Sequence, residues 1–322
     1  MKIGIVTPAP PRTHYGNRMT ALRWTRILRA CGHRVTLAQS YAGEPYDVLI
    51  ALHARRSYPA IRHFHQRYPD RPLVVALTGT DLYRDLPRSR HAQKSLELAA
   101  RLVTLQAKAL EELHPAHRKK ASVIHQSACI APRNSNQRRE AGLNGSFDVC
   151  VIGHLRPVKD PFRPALAARR LPAASRVRIL HLGAAMTPEF EDLARAEMRR
   201  NPRYRWLGEQ PHWKAIQILA RSSLCVLSSR LEGGANALSE AIANRTPVLA
   251  SKIPGSVGIL GKNYPGYFRV GDTGGLARLL SRAETDRSFL ARLRSHCAQR
   301  APLIDAGREK AAWIRLLNEL RG

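Results

Sequence analysis

Short apolar runs alternate with amphipathic stretches along this chain. Residues 2–6 (Lys-Ile-Gly-Ile-Val) are apolar and stop at Thr7-Pro8, the pattern of a buried parallel strand feeding a loop. Residues 17–31 then space Met19, Leu22, Ile27 and Leu28 at mostly helical intervals, Gly32 marks the stop, and 34–38 reads as a second strand. Strand, loop, helix, strand is the βαβ unit of a Rossmann-like sheet. The alternation continues with strands at 47–52, 72–77, 102–105 and 122–125. Helical stretches fall at 57–68, at 95–98 as the start of a helix, and at 108–113. Residues 131–146, rich in Pro, Asn, Arg, Ser and Gly, break the series and read as an inter-domain link.

A second series follows. Strands are expected at 147–152, 176–182, 204–207, 224–227, 247–250 and 267–270, with helices at 189–200, 212–220, 236–244, 275–297 and 307–320. Two α/β series of similar size predict two Rossmann-like domains in tandem, facing each other across a cleft, with ligand sites at the carboxyl ends of the strands. The expected division is 1–140 for the first domain and 146–304 for the second, with a last helix at about 305–322 returning to the first.

Composition changes this picture little. A chain of 322 residues with 44% hydrophobic content suits two domains with real cores. Its 53 Lys and Arg against 24 Asp and Glu leave +29, which raises nucleic acid, a membrane surface or an anionic substrate as partners. The excess is even, with 24 basic and 10 acidic residues in 1–150 and 29 and 14 in the rest. A dedicated nucleic-acid module would concentrate it, so no nucleic-acid partner is expected. Arginine supplies 43 of the 53, as an Arg-rich, Ala-rich genome composition would produce. Five widely spaced cysteines without a CxxC read as reduced thiols. Residues 3–6 are too few for a signal-peptide core, and no apolar run is long enough to span a membrane. A cytoplasmic location without stable membrane insertion is therefore expected.

The most informative segment runs from Ser228 to Ser251. It reads as strand, carboxylate (Glu232), Gly233-Gly234, helix from Ala235-Asn236, second carboxylate (Glu240), and a Pro-led strand. The glycine pair lets bare amides approach a ligand at a helix N-terminus, where unpaired N–H groups and the helix dipole favour phosphate. Eight positions of helix would place Glu232 and Glu240 on nearly the same face, so that one addresses a sugar near the phosphate and the other a more distant hydroxyl pair. A helix start with one capping and one surface glutamate gives the same pattern.

The whole stretch resembles the Glu-x7-Glu signature of retaining GT-B glycosyltransferases of the family-four type. Gly153-His154-Leu155-Arg156-Pro157-Val158-Lys159-Asp160 is similar to that family's strand-end motif, whose basic pair, here Arg156 and Lys159, holds the donor diphosphate. Residues 179–183, ending in Gly183, and Leu207-Gly208-Glu209 fall where the family places a glycine strand end and the base-binding loop. The resemblance implies that Gly233, Gly234, Ala235, Asn236, Glu240 and Glu209 contact the donor, that Glu232 holds its sugar, and that no metal or cofactor is needed.

In the first half, Thr7 to Arg18 forms the first strand-to-helix loop, in which the family carries a glycine beside the diphosphate. Gly16-Asn17 stands here in place of the usual Gly-Gly. His53-Ala54-Arg55-Arg56 and Thr78-Gly79-Thr80-Asp81 also lie at strand ends. His53 reads as a positioning residue or a satisfied half-buried histidine, and Asp81 as a sugar-orienting group or a helix cap; both are carried forward as catalytic candidates. The wording of 1–39, 49–57 and 229–241 is closer to one branch, resembling the selenosugar synthases of selenoneine biosynthesis. That branch implies transfer from UDP-N-acetylglucosamine or UDP-glucose to selenophosphate, with UDP, phosphate and a 1-selenosugar as products. Arg12, Asn17, Arg18, Arg55, Arg56 and Thr78 are the acceptor-binding candidates on that reading. The alternatives are a conventional retaining glycosyltransferase with a hydroxyl acceptor at the cell envelope and, last, a non-enzymatic nucleic-acid binder. His63-x-His65 and His114-x-x-His117 lack accompanying ligands at metal spacing and read as solvated helix faces.

Overall fold

A computed structural model describes residues 1–11, 13, 15–132 and 145–321. The chain divides into two compact units. The first takes Met1–Gln126, Glu232–Gly234 and Asp305–Gly322, and the second Ser127–Leu231 and Ala235–Ile304. Most of the 131–146 stretch expected as the link lies outside the described residues.

In the first unit six parallel strands pair in the order β2-β1-β3-β4-β5-β6: β1 (Lys2–Val6), β2 (Arg34–Ala38), β3 (Val48–Leu52), β4 (Leu73–Leu77), β5 (Arg101–Thr104) and β6 (Ala121–Val123). The apolar run of β3 is buried throughout because both faces of the sheet are covered. The period of two sends Leu49 and Ala51 to one core, with Phe64 and Leu96. It sends Ile50 and Leu52 to the other, with Trp24, Leu28 and Trp313. Helix α1 (Gly16–Ala30) and the C-terminal helix Ala306–Glu319 form this second layer. Trp24 and Trp313 meet edge to face at 4.8 Å, and Trp24 Nε1–H donates to the buried Glu309 carboxylate at 2.9 Å.

The second unit holds six parallel strands in the order β12-β11-β10-β7-β8-β9: β7 (Phe147–Ile152), β8 (Val177–Leu182), β9 (Tyr204–Trp206), β10 (Leu224–Leu227), β11 (Val248–Ser251) and β12 (Tyr267–Phe268). This is the Rossmann order, with β7 first and the chain turning back between β7 and β10. The fold class is thus the expected one, two Rossmann-like α/β units.

Three local expectations need correction. The 275–297 stretch is two helices, Thr273–Thr285 and Arg287–Arg300, because the Asp286 side chain accepts the Phe289 N–H and caps a new start. Residues 95–98 end a helix rather than begin one: it spans Arg90–Leu98, and the Ser89 hydroxyl caps it through Ala92 N–H. The short helices Arg163–Ala168 and Pro254–Leu260 carry too little periodicity to be read from sequence.

Candidate active site

The carboxyl ends of β7 and β10 flank the point where the second sheet reverses direction, the place where open α/β sheets bind ligands. A small hollow there is lined by Gly153, Lys159, Pro161, His181, Leu227, Ser228 and Ser229, among others. Its floor is a close approach of two backbones. Gly183 has φ +148, and a Cβ on it would run into the Gly153 carbonyl and lie 2.8 Å from the His154 nitrogen. Only glycine fits, which is the physical content of the expected glycine strand end.

His181, fully buried on β8, holds this floor. Its Nε2–H donates to the Gly153 carbonyl at 3.0 Å, and its Nδ1 accepts from the Tyr204 hydroxyl at 3.0 Å. Burial pushes the imidazole down to about 4, so it is neutral and its tautomer is set by these partners. The reading from sequence missed His181; its signal was a histidine inside an apolar strand, two residues before Gly183.

After Gly153 the chain runs through extended Arg156 into a tight turn, Pro157–Lys159, and a left-handed Asp160 (φ 45). The loop after β10 pins this turn. Ser228 Oγ donates to the Lys159 and Asp160 carbonyls at 3.1 and 3.0 Å, and Arg230 N–H donates to the Val158 carbonyl at 2.8 Å. Arg163 Nε adds a bond to the Asp160 carboxylate at 2.9 Å. The Lys159 stem passes over Gly153, 3.7 Å from where a Cβ would sit. Arg156 Nε is buried and, among the described residues, has no hydrogen-bond partner. A buried guanidinium N–H without an acceptor is costly, and an anionic ligand in this crevice would supply the acceptor.

The second carboxylate, Glu240, lies on the helix Asn236–Ala243, and its Oε1 accepts from His212 Nε2 at 2.9 Å. Glu232 lies before that helix, in a segment that belongs to the first unit. The expected placement of both glutamates on one helical face is therefore corrected: residues 232–235 are not helical, because Gly233 and Gly234 precede the first turn. Ala235 is the N-cap residue, and its carbonyl accepts from Leu238 N–H. Glu209 is exposed, beside Gly208 with φ +66.

In the first unit, Asp81 is fully buried and its carboxylate accepts three backbone amides: Thr78 at 2.9 Å, Gly79 at 2.8 Å and Ala54 at 3.0 Å. It ties the loops after β3 and β4 together. Fully buried, it positions these loops through its three amide contacts. A wide helical turn follows, Asp81–Asp85, closed by a five-residue bond from Leu86 N–H to the Asp81 carbonyl.

That turn aims Asp85 at His53 and Arg55. His53 is buried with φ +74, a strained value for a residue that carries a Cβ. Its Nδ1 accepts Arg56 N–H at 3.3 Å, so Nε2 carries the proton and donates to Thr80 Oγ1 at 3.1 Å, with Asp85 at 3.8 Å. Burial lowers its pKa; the Asp81 and Asp85 charges oppose this, and Arg56 adds to it. Arg55 Nε lies 2.9 Å from Asp85 and Arg84 Nε 3.2 Å, so Arg55 is already engaged by a carboxylate. Asp85 was missed by the sequence reading, and Thr80 was named only as part of its strand-end segment, since their roles depend on a turn the periodicity does not show. Gly79 (φ +135) packs on Gly233: a Cβ on Gly79 would lie 2.7 Å from the Gly233 nitrogen. Thr78 is half-buried, Arg56 is exposed, and Asn17 and Arg18 lie in the first turn of α1. Gly16 opens that helix with open space about it, and Arg12 lies outside the described residues.

Known proteins agree with this architecture. HepE of Anabaena, solved in complex with UDP, is similar over 99% of this chain and 100% of its own, at 16% identity and a TM-score of 0.80. The same protein in complex with UDP-glucose matches at 17% identity and a TM-score of 0.78, over 99% and 100% of the two chains. Sucrose-phosphate synthase of Thermosynechococcus elongatus matches over 99% and 98% at 14% identity, with a TM-score of 0.75. At these identities the likeness speaks for the fold. Residues 133–303, just over half of the chain, match the family described as glycosyl transferases group 1, and the chain belongs to that family.

Proposed function

We infer that this glycosyltransferase takes its sugar from a UDP-sugar, UDP-N-acetylglucosamine or UDP-glucose, and transfers it to selenophosphate. The observation that carries the donor half is the buried, unpartnered Arg156 Nε, in a turn pinned beside Lys159 at the reversal point of the second sheet. HepE, of the same fold, was solved with UDP and with UDP-glucose, which supports the same donor class here. Arg156, Lys159 and the amides that open the helix at Ala235 and Asn236 would take up the negative charge growing on departing UDP. Fixed cations and dipoles suffice for that, so no step is assigned to a metal. Gly153, Gly183 and Gly208 would let the backbone approach the nucleotide, with Glu209 at the base, Glu240 at the ribose and Glu232 at the sugar.

The acceptor half rests on the resemblance of 1–39, 49–57 and 229–241 to selenosugar synthases. A small, polarisable selenium anion needs no strong general base, which suits a neutral His53 as a positioning group. Selenium attacks the anomeric carbon, the carbon–oxygen bond to UDP breaks with its electrons leaving on the diphosphate, and a carbon–selenium bond forms. Water then cleaves the selenium–phosphorus bond, releasing phosphate and the 1-selenosugar. Arg56, Arg18 and Asn17, with Thr78, are the proposed acceptor contacts; Arg12 belongs to the same proposal. We place the reaction in the cytoplasm. Among the described residues no helix is long and apolar enough to cross a membrane.

The test is a donor screen by UDP release with selenophosphate present. Release from UDP-N-acetylglucosamine or UDP-glucose that depends on selenophosphate supports both halves. Release that needs a hydroxyl acceptor instead keeps the donor half and removes the acceptor half. No release from either sugar nucleotide removes both.

A further inference from the structure

The loop 207–211 leads directly into the helix His212–Arg221, and His212 is its first residue. The loop is fixed at several points. The Gly208 carbonyl accepts Gly183 N–H at 2.8 Å, and the Leu207 carbonyl accepts Gln210 Nε2 at 2.5 Å. Pro211 closes it just before the helix. His212 therefore emerges from a rigid lead, and its Nε2 meets Glu240 Oε1 at 2.9 Å.

Glu240 needs such a contact. Its side chain is only 13% exposed. Its charge reaches the strand core: burial pushes the Cys225 thiol up, and the Glu240 charge adds to that push. A half-buried carboxylate in such surroundings is usually neutralised by a bidentate Arg, which occupies both oxygens. The partner here is an imidazole. A carboxylate is acceptor-only, so His212 Nε2 must donate, and it delivers one bond to one oxygen. Among the described residues Oε2 accepts no hydrogen bond. The arrangement fixes the rotamer of Glu240 and keeps one oxygen in reserve.

We propose that His212 is a positioning residue for the nucleoside end of the donor, holding Glu240 Oε1 so that Oε2 accepts from the ribose hydroxyls. This deepens the donor reading and rests on it. The contact also joins the base-side loop to the ribose carboxylate, so that the two are set as one unit.

The test is calorimetric titration with UDP and with its deoxyribose analogue dUDP, on wild type, His212→Ala, His212→Gln and Glu240→Gln. An Ala at 212 frees the Glu240 rotamer and weakens UDP about fivefold, the worth of one charge-assisted hydrogen bond in part. The loss on dUDP is less than about twofold, because one hydroxyl that Glu240 reads is gone. Gln, whose amide N–H stands near the imidazole Nε2, brings UDP affinity back to near wild type. In turnover the loss falls on the donor KM rather than on kcat. Equal weakening of UDP and dUDP by His212→Ala would mean a merely structural role and overturns the proposal. So does an unchanged UDP affinity in His212→Ala while Glu240→Gln loses it. Wild type that binds no UDP overturns the donor reading itself, and this inference with it.

Discussion

Two buried histidines do different work in this chain, and acid reveals one of them. His181 is held near 4 by burial against an ordinary value of 6.5. Its folded-state pKa is depressed, so below about 6.5 the unfolded chain binds a proton that the folded chain refuses. Stability is lost as pH falls from about 6.5 toward 4, by roughly 3 kcal/mol in all. Urea midpoints measured across that window should show this acid limb in wild type and a shallower one in His181→Gln. His53 also enters neutral, but with two carboxylates opposing its burial. Arg156 carries the sharpest catalytic expectation. Removing its guanidinium, as in Arg156→Ala, should lower kcat by about a hundredfold, the worth of one preorganised donor to a growing charge. A change under twofold would place it on an inert surface. At this scale the sequence shows which residues stand at strand ends, because glycines and cations there follow directly from the alternation. It does not show His181 gripping Gly153, Asp85 facing Arg55, or His212 reaching Glu240, because those partners are joined by folding across about thirty residues in each case.

Strand ends and the loops that follow them carry the proposed site. Gly183 shows how tight they are: its left-handed conformation and the Gly153 carbonyl both exclude a Cβ. Gly183→Ala should move the loop after β7, raise the donor KM by about tenfold or more and lower the unfolding midpoint. A donor titration and a thermal melt on the same sample check both. In the first unit, Asp81 does by hydrogen bonds what Gly183 does by space. Asp81→Asn would turn an amide N–H toward the Ala54 N–H and should cost about 3 kcal/mol in urea unfolding. Strands were the legible elements, since a parallel sheet covered on both faces gives continuous apolar runs. The wide turn at Asp81–Asp85 and the break at Asp286 were not, because each depends on a side chain bonding backbone rather than on hydrophobic period.

For the whole molecule, two Rossmann-like sheets and the family membership account for the architecture. The first unit draws on the far end of the chain. Trp313 is fully buried against Trp24, and Trp313→Ala should cost about 3–5 kcal/mol, read as an early phase in chemical unfolding of the full chain. The net charge of +29 is mostly unassigned to chemistry. Many of its arginines pair with the scarce carboxylates, as Arg169 and Arg200 do with Glu197. The central claim joins all three scales: a sugar leaves UDP and arrives on selenium. Its most direct test is the mass spectrum of the product after incubation with UDP-N-acetylglucosamine or UDP-glucose and selenophosphate. The account predicts a sugar mass bearing the selenium isotope envelope, formed together with UDP and formed about a hundredfold more slowly with Arg156→Ala. UDP formed with the sugar found only on oxygen, or no turnover of either donor, would contradict it.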